Sequence, residues 1–205
     1  MRDRPAVVIR VEDEDGTVGW GETWCNFPTV GAEHRARLIN ENCAEILCGQ
    51  DWSSPRAAFD GLTSQLHVLA IQTAEPGPIA QAIAGIDIAL WDMTAKRAGR
   101  PLYHHLAAEF DLPDLGDIAS VPCYASGINP DAPEKTALRA RDDGYTAFKL
   151  KIGFEDELDL RNIKSMRETL GYKAKIMADA NQCWNLNKAK EMSKKLADFN
   201  PYWLE

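Results

Sequence analysis

Phe148-Lys149-Leu150-Lys151-Ile152-Gly153, followed by Lys175-Ile176-Met177-Ala178-Asp179-Ala180-Asn181 and then by Tyr202-Trp203-Leu204-Glu205, decides the fold of this chain. Each run is short and largely apolar, which is the signature of a strand. With Val121-Pro122-Cys123-Tyr124-Ala125-Ser126 ahead of them, the runs begin near residues 121, 148, 175 and 202, a constant step of 27 residues. A helical stretch fills each interval, at 132–143, 155–170 and 186–199. Strands alternating with helices at this spacing predict an α/β architecture with a parallel sheet, and right-handed crossovers carry it round towards a TIM-type (β/α) barrel. A closed barrel takes about 250 residues. Residues 121–205 are therefore expected to form a truncated barrel of about three and a half βα units. Its last edge and uncovered inner face would favour instability or association.

Strand alternation puts Lys149 and Lys151 on one face with Leu150 on the other, and likewise groups Asp179 with Asn181. Neighbouring strands lie about 4.8 Å apart, so side chains from successive strands can converge on one ion and one substrate. In such sheets chemistry gathers at the carboxyl ends of the strands, where Lys151, Asp179 and Glu205 all fall. Read one at a time, these residues are ordinary. A Lys-x-Lys is commonly a solvated strand edge, Asp179 the start of a loop, Asn181 a helix cap and Glu205 a solvated end. Their shared register favours a site: Asp179 and Glu205 are separated by 26 residues, one βα unit.

Upstream of the repeat, residues 108–120 read as a connector, and residues 1–107 as an α+β capping domain. The cap opens with strand-like runs at 6–11 and 17–22 around Asp15-Gly16, a short hairpin signal. Helical patterns follow at 31–47, 55–71 and 78–98. The last is clearest, with Ile79, Ile83, Ile86, Leu90 and Met93 at helical spacing and Gly99 and Pro101 ending it. Residues 11–22 nearly fit a calcium loop, but Val11 stands at the first ligand position and the flanks are strands, so that reading is rejected. His34, His67, His104 and His105 fall before the barrel, on helices or their ends, and read as surface or packing residues.

With 23 Lys and Arg against 31 Asp and Glu, the net charge of −8 offers no general attraction for nucleic acid or an anionic membrane. No apolar run approaches the roughly 20 residues of a bilayer span, and the amino end Met1-Arg2-Asp3-Arg4-Pro5 lacks a signal-peptide core. A cytoplasmic protein is expected. The five cysteines form no CxxC motif and are expected to be reduced, mostly structural thiols.

Taken in order, several motifs resemble the enolase superfamily in its mandelate racemase/muconate lactonizing branch. They are Val18-Gly19-Trp20-Gly21-Glu22, Gly85-Ile86-Asp87-Ile88-Ala89-Leu90-Trp91-Asp92 with Lys96, Gly99-Arg100-Pro101-Leu102-Tyr103, Lys149-Leu150-Lys151, Asp179-Ala180-Asn181 and Trp203-Leu204-Glu205. The resemblance covers essentially the whole chain. It implies a Mg2+ site built on Asp179 and Glu205, with Asn181 in the site wall or metal shell. Lys151 is implied as the base that removes a proton alpha to a substrate carboxylate, and Lys149 as the neighbour that lowers its partner's proton affinity and binds the carboxylate. Such use of a lysine base with magnesium is an established pattern of the superfamily. A lysine base must be neutral to accept a proton, and a second ammonium or a divalent cation nearby favours that form.

The resemblance further implies that Trp24, Asn26 and Phe27 lie on a cap loop that closes over the substrate. It implies a small carboxylate substrate such as a sugar acid, a lyase or isomerase that is homo-oligomeric when complete, and acid-sugar dehydration as the leading reaction. Racemisation, epimerisation or cycloisomerisation is the alternative, and a non-catalytic remnant is the reading from a different class. The first cap strand, the third metal carboxylate and the opposite-face acid/base group have no counterpart in this sequence. An internal fragment without turnover of its own is therefore expected.

Overall fold

The computed structural model describes residues 4–113, 116 and 120–205. The first three residues of the charged amino end, and residues 114, 115 and 117–119 of the expected connector, lie outside the described residues. The chain divides into two compact units, Met1–Ala119 and Ser120–Glu205.

In the first unit β1 (Val7–Glu12) pairs antiparallel with β2 (Val18–Thr23), Ile9 opposite Gly21. Both strands lie one residue later than the runs at 6–11 and 17–22, with the same five-residue connection around Asp15-Gly16. Gly16 N–H donates to Asp13 O at 2.9 Å, Asp13 N–H to Thr17 O at 3.0 Å, and Gly16 takes φ +81°, so residues 13–17 close the hairpin. The acidic side chains of this turn face Arg97, whose guanidinium pairs with Asp13 and with Asp15.

The helix expected over 31–47 is α1 (Gly31–Arg37), a π-helical turn (Leu38–Cys43) and α2 (Ala44–Leu47). The wider turn brings Leu38, Ile39 and Cys43 into one buried cluster. Next come α3 (Pro55–Gln72), capped by the Ser54 side chain, and α4 (Pro76–Arg97). Ile79, Ile83, Ile86, Leu90 and Met93 of α4 are all buried, as their spacing predicts.

The β2–α4 contact explains the Val18-Gly19-Trp20-Gly21-Glu22 motif. A Cβ on Gly19 would lie 1.9 Å from Ala89 O, and one on Gly21 2.1 Å from Gly85 O. Strand and helix backbones touch there, and only glycine allows it. A short helix absent from the sequence reading, α5 (Leu102–Glu109), follows; its one buried residue is Ala107, too little apolar pattern to signal a helix. Trp91 packs on His105 and Phe110 with ring centroids 6.0 and 5.7 Å away.

The second unit is a parallel sheet in the order β3 (Ala125–Ile128), β4 (Ala147–Lys151), β5 (Lys175–Asp179). Helices α6 (Pro133–Asp142), α7 (Asp156–Leu170) and α8 (Leu186–Leu196) occupy the intervals. Two strand expectations are corrected. β3 starts four residues after Val121: Val121 is 79% exposed, Pro122 has no N–H to give, and pairing begins at Ala125 opposite Phe148. The first interval is therefore shorter than 27 residues. The run from Tyr202 makes a single bridge, Leu204 to Ala178, with four ladder bonds around it and no full strand.

Phe148, Leu150, Ile152, Ile176, Ala178 and Ala180 share one core with Ala137, Ile163, Met166, Met192 and Leu196 of the helices. Alternation leaves Lys149, Lys151, Met177 and Asp179 on the opposite face. Among the described residues no helix is long and apolar enough to cross a membrane.

Candidate active site

The β4–β5 register sets Lys149 beside Met177 and Lys151 beside Asp179. Beyond β5, Tyr202 N–H donates to Ile176 O (2.7 Å), Glu205 N–H to Ala178 O (2.9 Å) and Ala180 N–H to Glu205 O (2.8 Å). These bonds fix the Glu205 backbone one strand over, level with the end of β5. Four charged side chains then meet. Lys149 Nζ lies 2.9 Å from Glu205 Oε2 and 3.3 Å from Asp179 Oδ2, and Lys151 Nζ lies 2.5 Å from the same Asp179 oxygen. Lys151 also donates to Asn181 Oδ1 at 3.2 Å.

Burial grades this cluster. The side chains of Lys149 and Asp179 are 9% and 5% exposed, Lys151 is partly covered, and Glu205 is mostly open to solvent. Burial, the largest influence on Asp179, pushes its pKa up. The hydrogen bonds from Lys151, from Asn181 N–H (2.9 Å) and from Lys149 together outweigh it and hold the carboxyl below its ordinary range. The bond to Glu205 raises Lys149 above the ordinary lysine value; burial opposes this and the bond to Asp179 adds to it.

Among the described residues no three His, Cys, Asp or Glu side chains gather as a metal cluster. Asp179 and Glu205 nonetheless bracket a single cationic centre, the Lys149 ammonium, from two sides. A pair of hard carboxylate oxygens converging on one positive charge suits Mg2+, which commonly takes one or two carboxylates and keeps water on its other positions.

Trp24, Asn26 and Phe27 lie in the loop after β2, within the Met1–Ala119 unit. Trp24 and Phe27 are about half exposed, their ring centroids 6.2 Å apart, and Asn26 is partly buried. Sequence reasoning missed Tyr124. Its ring lies 5.6 Å from Lys149 Nζ and edge-on to Trp203 at 5.5 Å, a cation–π contact at the rim. The only signal was an aromatic residue just before the first strand of the repeat. The reduced thiols are free, but Cys48, Cys123 and Cys183 are exposed; only Cys25 and Cys43 are buried, and burial raises Cys43 to about 11.

Two family models match the chain. Residues 1–106 match "Mandelate racemase / muconate lactonizing enzyme, N-terminal domain", and residues 133–205 match "Enolase C-terminal domain-like". The chain belongs to the enolase superfamily, in its mandelate racemase/muconate lactonizing branch. L-talarate/galactarate dehydratase of Salmonella typhimurium is 33% identical over 97% of the chain and 48% of that relative. Among solved structures, a mandelate racemase/muconate lactonizing enzyme from Bordetella bronchiseptica is 51% identical with a TM-score of 0.90, covering 98% of this chain and 53% of that one. A racemase from Streptomyces coelicolor with bound magnesium is 28% identical with a TM-score of 0.82, covering 97% and 57%. The chain thus spans about half the length of the enolase-superfamily relatives it matches.

Proposed function

We propose that this chain carries the lysine base and two metal ligands of a magnesium-dependent enzyme that removes the proton alpha to a substrate carboxylate. The carrying observation is the meeting of Lys149, Lys151, Asp179 and Glu205 at the ends of neighbouring parallel strands. Asp179 and Glu205 would hold Mg2+, with Asn181 beside them. When bound, the ion supplies Lewis-acid stabilisation of the charge that develops on the substrate carboxylate.

The residues of the chain do the rest. A small carboxylic acid is drawn to the Lys149 ammonium. Lys149, held charged by its carboxylate neighbours, orients the substrate carboxylate. Lys151, in its neutral form, accepts the alpha proton at Nζ, becoming the ammonium and leaving an enediolate. The Salmonella relative supports a sugar acid and dehydration as the outcome. The racemase with bound magnesium supports a second outcome, return of a proton to the carbon, because both begin with the same transfer.

The test joins this chain in frame to the remaining part of the Bordetella bronchiseptica protein and follows exchange of the alpha proton with deuterium across a panel of sugar acids. The expected result is Mg2+-dependent exchange that Lys151→Ala lowers by about 10³-fold, the scale of general-base catalysis. Exchange that survives Lys151→Ala, or that ignores Mg2+, would contradict the assignment.

A further inference from the structure

One buried acid lies outside the ion cluster. Asp159, in the first turns of α7, is 1% exposed, and its Oδ2 accepts the Gly153 N–H at 2.8 Å while Oδ1 is buried without a partner. Burial raises its pKa against the pull of the Gly153 N–H group. A buried oxygen left unpaired costs stability and calls for a reason.

The reason lies in what Gly153 touches. Gly153 stands two residues after Lys151 with φ +92°, and a Cβ there would be 2.9 Å from Ala180 O and 3.0 Å from Cys183 Cβ. The turn leaving β4 is thus pressed against the turn leaving β5. Ile152 N–H donates to Asp179 O at 3.0 Å in the same seam. On the far side of the seam Asn181 and Gln182 hold left-handed backbone, at φ 45° and 63°, a conformation that surrounding structure must enforce. Asn181 is also the residue whose side chain receives Lys151 Nζ.

The geometry points to Asp159 as a positioning residue: through the Gly153 N–H it holds the turn after β4 against the Ala180–Asn181 turn and so sets where the Lys151 ammonium stands. This rests on the reading of Lys151 as the base only for its catalytic meaning; the positional claim is about the chain itself. A simple stabilising role for Asp159 would affect melting without reaching Lys151.

The 205-residue chain is labelled for NMR, and the Gly153 amide exchange rate and the Lys151 Cε and Nζ shifts are compared in wild type, Asp159→Asn and Asp159→Leu. Asparagine keeps an acceptor for Gly153; leucine fills the space and removes it. The expected result is about tenfold faster Gly153 exchange and displaced Lys151 shifts in Asp159→Leu, with Asp159→Asn close to wild type. Asp159→Ser, too short to reach Gly153, makes the same comparison if the leucine variant does not fold. Lys151 shifts unchanged in the acceptor-less variants, or equally disturbed in Asp159→Asn, would overturn the proposal. Mg2+ takes no part in this comparison. A chain whose Asp179 and Glu205 ignore Mg2+ contradicts the proposed function and leaves this inference to be decided by Gly153 and Lys151.

Discussion

Both units carry clusters of opposite charge, and they use them differently. In the first unit Arg97 pairs with Asp13 and Asp15 on the surface, with all three side chains 41–53% exposed. In the second, Lys149 and Asp179 face each other almost fully covered. The first unit is held by backbone-to-backbone packing of β2 on α4, and its Arg97 cluster lies on an exposed turn. The second spends burial on ions at the strand ends, which solvent would otherwise satisfy. Exposed pairs contribute little, whereas a buried ion left without its partner is strongly destabilising.

The largest expected effect follows from that difference. Asp179→Ala leaves Lys149 and Lys151 without their shared carboxylate and should destabilise the second unit by about 3–5 kcal/mol, measured by urea denaturation. A loss below about 1 kcal/mol would place the cluster with the surface pairs.

Next is the backbone contact of the first unit. Gly21→Ala puts a methyl where Gly85 O already stands and should cost about 3 kcal/mol or prevent folding of that unit, read by thermal melting. A neutral result would mean that β2 and α4 do not touch.

The pH response of the buried cluster follows from its pairing. Asp179 titrates below its unfolded value, so its contribution is full above about pH 4 and is lost as pH falls through the lower folded value. Lys149 titrates above its unfolded value, so its contribution is full below about pH 10 and is lost as pH rises through the higher folded value. Amide exchange in β4 and β5 should therefore quicken at both extremes.

The smallest effect closes the comparison. Arg97→Ala should change stability by no more than about 1 kcal/mol, and less in high salt. A larger loss would show that the hairpin turn depends on its ions.

The strands β4 and β5 and the helices of the repeat were legible because their patterns are local: apolar side chains at two-residue spacing, or at three and four, on elements long enough to count. α4 was legible for the same reason. The start of β3 and the helix α5 were not, because one follows Pro122 on a strand only four residues long and the other buries only Ala107. The lysines and carboxylates could be placed by alternation and by strand ends. Asp159 and Tyr124 could not, since a hydrogen bond to Gly153 and a ring beside Lys149 depend on how helix and loop return to the sheet, which no spacing in the sequence records.

The central claim is that Asp179 and Glu205 belong to one cation site flanked by Lys149 and Lys151. Titrating the chain with Mg2+ while following the two side-chain carboxyl carbons by NMR tests it directly. The account predicts that both resonances move with one shared midpoint and that Asp179→Asn abolishes the response of Glu205. Independent midpoints, or a Glu205 response unchanged by Asp179→Asn, would contradict it.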